Sequence, residues 1–149
     1  MEKGDVVEDF ELLDQTGTTR RLSDLLLSGP VVLFFYPAAM TKGCTAESCH
    51  FRDLAAEFGA VGAQRVGISI DGVAKQKQFS DKHEFDYPLL SDPDQKVAKS
   101  LGVARSISLL PTKRVTFVID TQRVILARIS SELRMNAHAD QALDVLRNR

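Results

Sequence analysis

The sequence contains no tryptophan, two cysteines and five prolines, and aromatic residues make up only 7% of it. So few cysteines argue against a secreted, disulfide-stapled scaffold, which at this size carries more. Charge of neither sign dominates: 19 Lys and Arg face 20 Asp and Glu, a formal net charge of −1. That balance lacks the basic footprint of a nucleic-acid binder, so no nucleic-acid partner is expected. Long hydrophobic runs are also missing. The longest, Val31 to Tyr36, is far too short to cross a bilayer, so no membrane partner is expected. The opening Met1-Glu2-Lys3-Gly4-Asp5 has no apolar h-region, so no signal peptide is visible and the expected compartment is the cytoplasm.

What is present is ordinary globular composition. The 149 residues are 44% hydrophobic and 26% charged, which excludes a disordered chain and suits one domain over residues 1–149. No repeat, linker or low-complexity tract divides the chain. Phe10 to Asp14 and Thr18 to Leu22, joined by Gln15-Thr16-Gly17, read as a hairpin, and Ser23 to Leu27 as one or two helical turns. Pro30 to Tyr36 is apolar almost throughout, which suits a strand buried on both faces and ended by Pro37. Phe51, Leu54, Ala55 and Phe58 then recur at helical spacing, which predicts one helix closed by Gly59 and Gly62.

Val66 to Ile70 is a second buried strand, followed by a polar helix over Gly72 to Lys82 with Val73, Gln76 and Phe79 on one face. Tyr87 to Leu90 is extended, Ser91-Asp92-Pro93-Asp94 is a turn, and Lys96 to Leu101 is a short helix stopped by Gly102. Val115 to Ile119 and Val124 to Ile129 form a hairpin, and Ala139, Ala142, Leu143 and Leu146 mark a final helix. This order is α/β. The first two buried strands should run parallel, the terminal hairpin makes the central sheet mixed, and doubly apolar strands require helices on both faces.

Both cysteines, Cys44 and Cys49, lie between the first buried strand and the first long helix. Two close cysteines in a reducing compartment mean redox chemistry, a metal site or structural thiols. Cys44 falls at or near a helix N-terminus on the carboxyl edge of a parallel strand, where ligands of open α/β sheets collect. Unpaired N–H groups and the helix dipole there favour thiolate over thiol. The dipole supplies ~0.3–1 kcal/mol, whereas depressing a thiol's pKa by about 2 units takes roughly 2.7 kcal/mol. A cationic hydrogen-bond donor near the sulfur, contributing about 1.5–3 kcal/mol, would close the gap.

The stretch Pro37-x-x-x-Thr41-x-x-Cys44 resembles the peroxiredoxin active-site pattern, and Cys49 stands at the spacing of the peroxiredoxin Q, or bacterioferritin comigratory protein, subfamily. Glu8-Asp9-Phe10-Glu11-Leu12, Gly67-Ile68-Ser69, Pro88-Leu89-Leu90-Ser91-Asp92 and Arg114 through Asp120 extend the likeness over nearly the whole chain. The resemblance implies a thioredoxin-like peroxiredoxin fold and a thiol peroxidase reducing hydrogen peroxide and organic hydroperoxides. It implies that Cys44 is the peroxidatic nucleophile, that Thr41 holds the peroxide or the thiolate, and that Pro37 shapes the loop and shields the sulfur. Arg114 becomes the cationic donor and Cys49 the resolving thiol. The partners implied are a peroxide and thioredoxin or a similar dithiol, with no bound cofactor and no metal. The oligomeric state implied is a monomer, or at most a weak dimer. Lys42 and His50 depart from the subfamily's usual residues.

If both cysteines share one α-helix, their axial separation is about 7.5 Å and they point about 140° apart. Their Cα atoms then stand too far apart to bridge without backbone movement. A Cys44–Cys49 disulfide therefore requires the helix to unwind locally around Cys49. Two other readings stay open: a metal module using Cys44, Cys49 and His50, and a redox-regulated sensor or binding protein. Glu47 either steers the Cys44 region or favours the helix N-terminus, and the second reading is preferred. His50, His83 and His138 are read as surface or packing residues, and Tyr36 and Met40 as core or as an apolar approach to the sulfur.

Overall fold

The computed structural model describes residues 1–105 and 112–149. The early hairpin is β1 (Glu11–Leu13) and β2 (Thr19–Arg21). Its turn is tied by Asp14, whose Oδ1 accepts from the Thr16 and Thr18 amides at 2.8 and 3.1 Å. A short helix α1 (Leu22–Leu25) and a 3-10 turn (Leu26–Ser28) lead to β3 (Val31–Phe35), buried at every position. Then come α2 (Lys42–Asp53), α3 (Ala55–Ala60), β4 (Gln64–Ser69), α4 (Val73–His83), β5 (Leu89–Ser91) and α5 (Lys96–Ser100). The chain closes with β6 (Val115–Ile119), β7 (Ile125–Ser130) and α6 (Met135–Arg147).

The strands form one mixed sheet in the order β2-β1-β5-β4-β3-β6-β7. β3 pairs parallel with β4, and β4 with β5, while β6 lies antiparallel to β3 and β7 antiparallel to β6. Alternation along β3 divides the core into two layers. Val31, Leu33 and Phe35 face a cluster with Leu22, Leu25, Val97 and Leu101. Val32, Phe34 and Tyr36 face a second cluster with Phe51, Phe58, Phe79, Leu143 and Leu146. Helices therefore cover both faces, as an all-apolar central strand requires.

One element differs from expectation. The stripe Phe51, Leu54, Ala55, Phe58 is not one helix: Leu54 (φ −95°, ψ 21°) breaks it into α2 and α3. Periodicity survives the break because the Phe58 amide still reaches the Leu54 carbonyl at 3.0 Å. Phe51 stacks on Phe34 with ring centroids 4.1 Å apart and on Phe58 at 5.8 Å. Close contact at β4 requires Gly67, where a Cβ would stand 2.8 Å from a Leu89 methyl and 3.0 Å from the Phe34 ring.

Candidate active site

Topology assembles the site from three distant parts of the chain. β3 ends at Phe35 and the chain turns through Pro37 and Ala39, both buried, into α2. Thr41 is the N-cap residue, with extended backbone (φ −80°, ψ 158°). Lys42, Gly43 and Cys44 form the first turn. The Thr45 amide is the first to bond back, to the Thr41 carbonyl at 2.8 Å, so the three amides before it have no partner within the helix. Because β6 runs antiparallel to β3, with Phe34 opposite Thr116, its N-terminal end arrives where β3 ends. That register carries Arg114 across to Cys44.

The Arg114 guanidinium spans two groups of α2. Its Nη2 donates to Cys44 Sγ at 3.3 Å and its Nη1 to Glu47 Oε1 at 2.7 Å. Gly43 allows this approach: a Cβ there would lie 3.3 Å from Arg114 Nη2 and 3.5 Å from the Met135 sulfur. Cys44 and Glu47, one turn apart, thus share one cation. Arg114 is held firmly protonated: burial opposes the charge, but the Glu47 and Cys44 groups beside it outweigh burial.

Glu47 corrects the expectation that it serves the helix N-terminus. It is fully buried, it lies beyond the first turn, and it is bound to Arg114. Burial, against the pull of Arg114, lifts its carboxyl to about 8. Oε1 accepts from Arg114, while Oε2, the other oxygen, has no hydrogen-bond partner among the described residues and lies 3.6 Å from His138 Nδ1.

His138 is likewise more than packing. It is fully buried, and burial lowers its pKa and keeps the imidazole neutral. Its Nε2 lies 2.8 Å from the Ser131 carbonyl and so carries the proton, which makes Nδ1 the acceptor for the Thr116 hydroxyl at 2.8 Å. This imidazole joins β6, the segment after β7 and α6. A signal for it exists in the sequence, since His138 sits one residue before Ala139 on the apolar stripe of α6, but periodicity alone gives no partner.

The remaining candidates fall as follows. Cys44 has no exposed surface. It packs in the cluster that contains Tyr36, Ala39 and Phe51. The Thr41 hydroxyl is exposed and donates to the Ala38 carbonyl at 2.8 Å, with no side-chain cap on the helix. A hydroxyl proton committed to Ala38 leaves lone pairs to accept from a ligand. Cys49 is half-buried on the same intact helix as Cys44; both are free thiols, and burial pushes the Cys49 thiol up. His50 Nε2 pairs with Asp140 Oδ1 at 2.7 Å rather than with either cysteine. Tyr36 is core and hydrogen-bonds Gln76 at 2.5 Å, whereas Met40 is 41% exposed with a left-handed backbone (φ 68°). Lys42 is exposed on the first turn. No helix among the described residues is long and apolar enough to cross a membrane.

Comparison with known proteins places this geometry. Residues 3–128 match the AhpC/TSA family. The crystal structure of peroxidoxin BcpB from Mycobacterium tuberculosis superposes with a TM-score of 0.96 at 63% identity, covering 99% of this chain and 97% of that one. Chloroplastic peroxiredoxin Q of Triticum aestivum is 37% identical over 146 residues, covering 98% of this chain and 67% of the wheat protein. A Xanthomonas campestris bacterioferritin comigratory protein, whose structural work concerns alkyl peroxide reduction, superposes with a TM-score of 0.85 at 28% identity, covering 93% and 90%. With its thioredoxin-like fold and its helix-borne cysteine beside an arginine, the chain belongs to the AhpC/TSA family, in the peroxiredoxin Q branch of the peroxiredoxins, which are thiol peroxidases.

Proposed function

We propose that the chain is a two-cysteine peroxidase for hydrogen peroxide and organic hydroperoxides, with Cys44 as nucleophile, Cys49 as resolving thiol and a thioredoxin-type dithiol as reductant. The observation that carries this reading is the 3.3 Å contact between Arg114 Nη2 and Cys44 Sγ at the N-terminus of α2. A guanidinium and unpaired amides around one sulfur favour its thiolate, the form that attacks oxygen. In the first step the thiolate attacks one peroxide oxygen, the O–O bond breaks, and the leaving oxygen takes a proton. The products are Cys44 sulfenic acid and water or an alcohol. Arg114 stabilises the negative charge growing on the leaving oxygen, and Thr41 supplies an acceptor that orients the peroxide O–H.

In the second step the Cys49 sulfur displaces water from the sulfenic acid, giving a Cys44–Cys49 disulfide. Both cysteines lie on one unbroken helix, so that bond needs α2 to open. A dithiol then returns both thiols by exchange. The alkyl peroxide chemistry of the Xanthomonas relative supports the inclusion of organic hydroperoxides. The test is mass spectrometry of the full chain after one equivalent of peroxide. Loss of two hydrogens with Cys44 linked to Cys49 is expected. Cys44→Ser should abolish peroxide consumption, and Cys49→Ser should accumulate sulfenic or further oxidised Cys44. If Cys49→Ser is instead the unreactive variant, the roles are reversed.

A further inference from the structure

We infer that Arg65 and Tyr87 are positioning residues for the second step: together they clasp the last turns of α2 and set how fast Cys49 can reach the oxidised Cys44. The inference rests on the reading of Cys49 as resolving thiol. Tyr87 donates its hydroxyl proton to the Ser48 carbonyl at 2.7 Å, immediately before Cys49. Arg65 Nη1 donates to the Phe51 carbonyl at 2.9 Å, two residues after it. Phe51 lies in the final turn of α2, where carbonyls lose their partners to the break at Leu54, so Arg65 caps a group the helix cannot satisfy itself. A cation also suits the negative end of the helix dipole.

The clasp is itself rigid. Arg65 is buried, is gripped by both Asp86 carboxylate oxygens at 2.9 and 2.8 Å, and lies over the Tyr87 ring at 5.1 Å. Arg65 belongs to β4 and Tyr87 to the segment entering β5, so the centre of the sheet holds the helix from one side. Arg52 Nη1 adds a bond to the His83 carbonyl at 2.8 Å, and toward α6 His50 pairs with Asp140 at 2.7 Å, where the Asp140 side chain is 58% exposed. Unwinding around Cys49 must break the Ser48 and Phe51 carbonyl bonds, and while they hold, the sulfenic acid waits. During that wait a second peroxide can oxidise it to the sulfinic acid, so the clasp sets the ratio of resolution to over-oxidation.

The experiment is rapid-mixing kinetics on full-length wild type, Tyr87→Phe and Arg65→Met, with sulfenic acid, disulfide and sulfinic acid followed by quenched mass spectrometry. Tyr87→Phe should speed disulfide formation about fivefold, the loss of one neutral hydrogen bond, and Arg65→Met about 10- to 100-fold, the loss of a charge-assisted one. The peroxide step should not change, and sulfinic acid formed per turnover should fall by the same factor. Amide hydrogen exchange at Cys49 to Arg52 should quicken while that of α6 does not, which separates release of the clasp from general loosening. Should Arg65→Met fold poorly, Tyr87→Phe decides alone. Unchanged partition and exchange in a protein that still forms the disulfide overturn the clasp. A wild type that never forms the disulfide overturns the resolving-thiol reading itself.

Discussion

Replacing Arg114 by alanine should cost Cys44 most of its reactivity at neutral pH. The guanidinium makes one hydrogen bond of 3.3 Å to the sulfur and one of 2.7 Å to Glu47. A hydrogen bond to a charged partner is worth about 1.5–3 kcal/mol, and each ~1.4 kcal/mol is tenfold, so the rate at which the sulfur reacts should fall about 10- to 150-fold. The assay is alkylation by iodoacetamide from pH 5 to 9 in a Cys49→Ser background, where Cys44 is the one remaining thiol. The alkylation rate should fall by that factor at neutral pH, with peroxide consumption falling at least as far. The same substitution strips Glu47 of its donor inside the core, at about 1–3 kcal/mol of stability. Adding Glu47→Met removes the orphaned group, so the double variant should regain stability without regaining reactivity. An alkylation profile identical to the parent's would show that Arg114 does not act on the sulfur. Reactivity restored together with stability would show that it acts only through the fold.

Glu47→Gln tests the buried carboxyl through stability. The folded carboxyl titrates at about 8 against an ordinary 4.5, so the native state keeps a proton the unfolded state loses. Its contribution is therefore fully present below about pH 4.5 and is lost as pH rises to about 8. The difference in melting temperature between wild type and Glu47→Gln should shift against wild type from pH 5 to pH 8, and a constant difference refutes the assignment. Thr41→Val should lower kcat/KM for peroxide about tenfold or more, as loss of an orienting hydrogen bond demands, while Thr41→Ser keeps activity. Iodoacetamide alkylation should be the same in both, and full activity of the valine variant would remove Thr41 from the site. Phe34→Ala should lower the unfolding free energy by ~3–5 kcal/mol in urea titration, because Phe34 is fully buried and stacked 4.1 Å from Phe51. A loss under about 1.5 kcal/mol would contradict the packing described for that layer.

Much of this protein was legible along the chain. The doubly apolar run of β3, the period of α4 and α6 and the turn residues between β1 and β2 are local signals, and each element formed where its signal stood. The pattern Pro37, Thr41, Cys44 likewise marks a strand-to-helix junction with the cysteine in its first turn, because capping and helix polarity depend on neighbours only. The break at Leu54 was hidden, since apolar spacing continues across it. What only tertiary structure decided is which distant groups meet the sulfur. The antiparallel register of β6 on β3 delivers Arg114, and it also determines that Glu47 faces that cation instead of solvent. His138 joined Thr116 and Ser131 because α6 folds back over β6 and β7. Burial of Cys44 and the lift of Glu47 to about 8 follow from the same enclosure. Desolvation and charge pairing depend on three-dimensional neighbours at 3 Å scale, and no one-dimensional spacing encodes them.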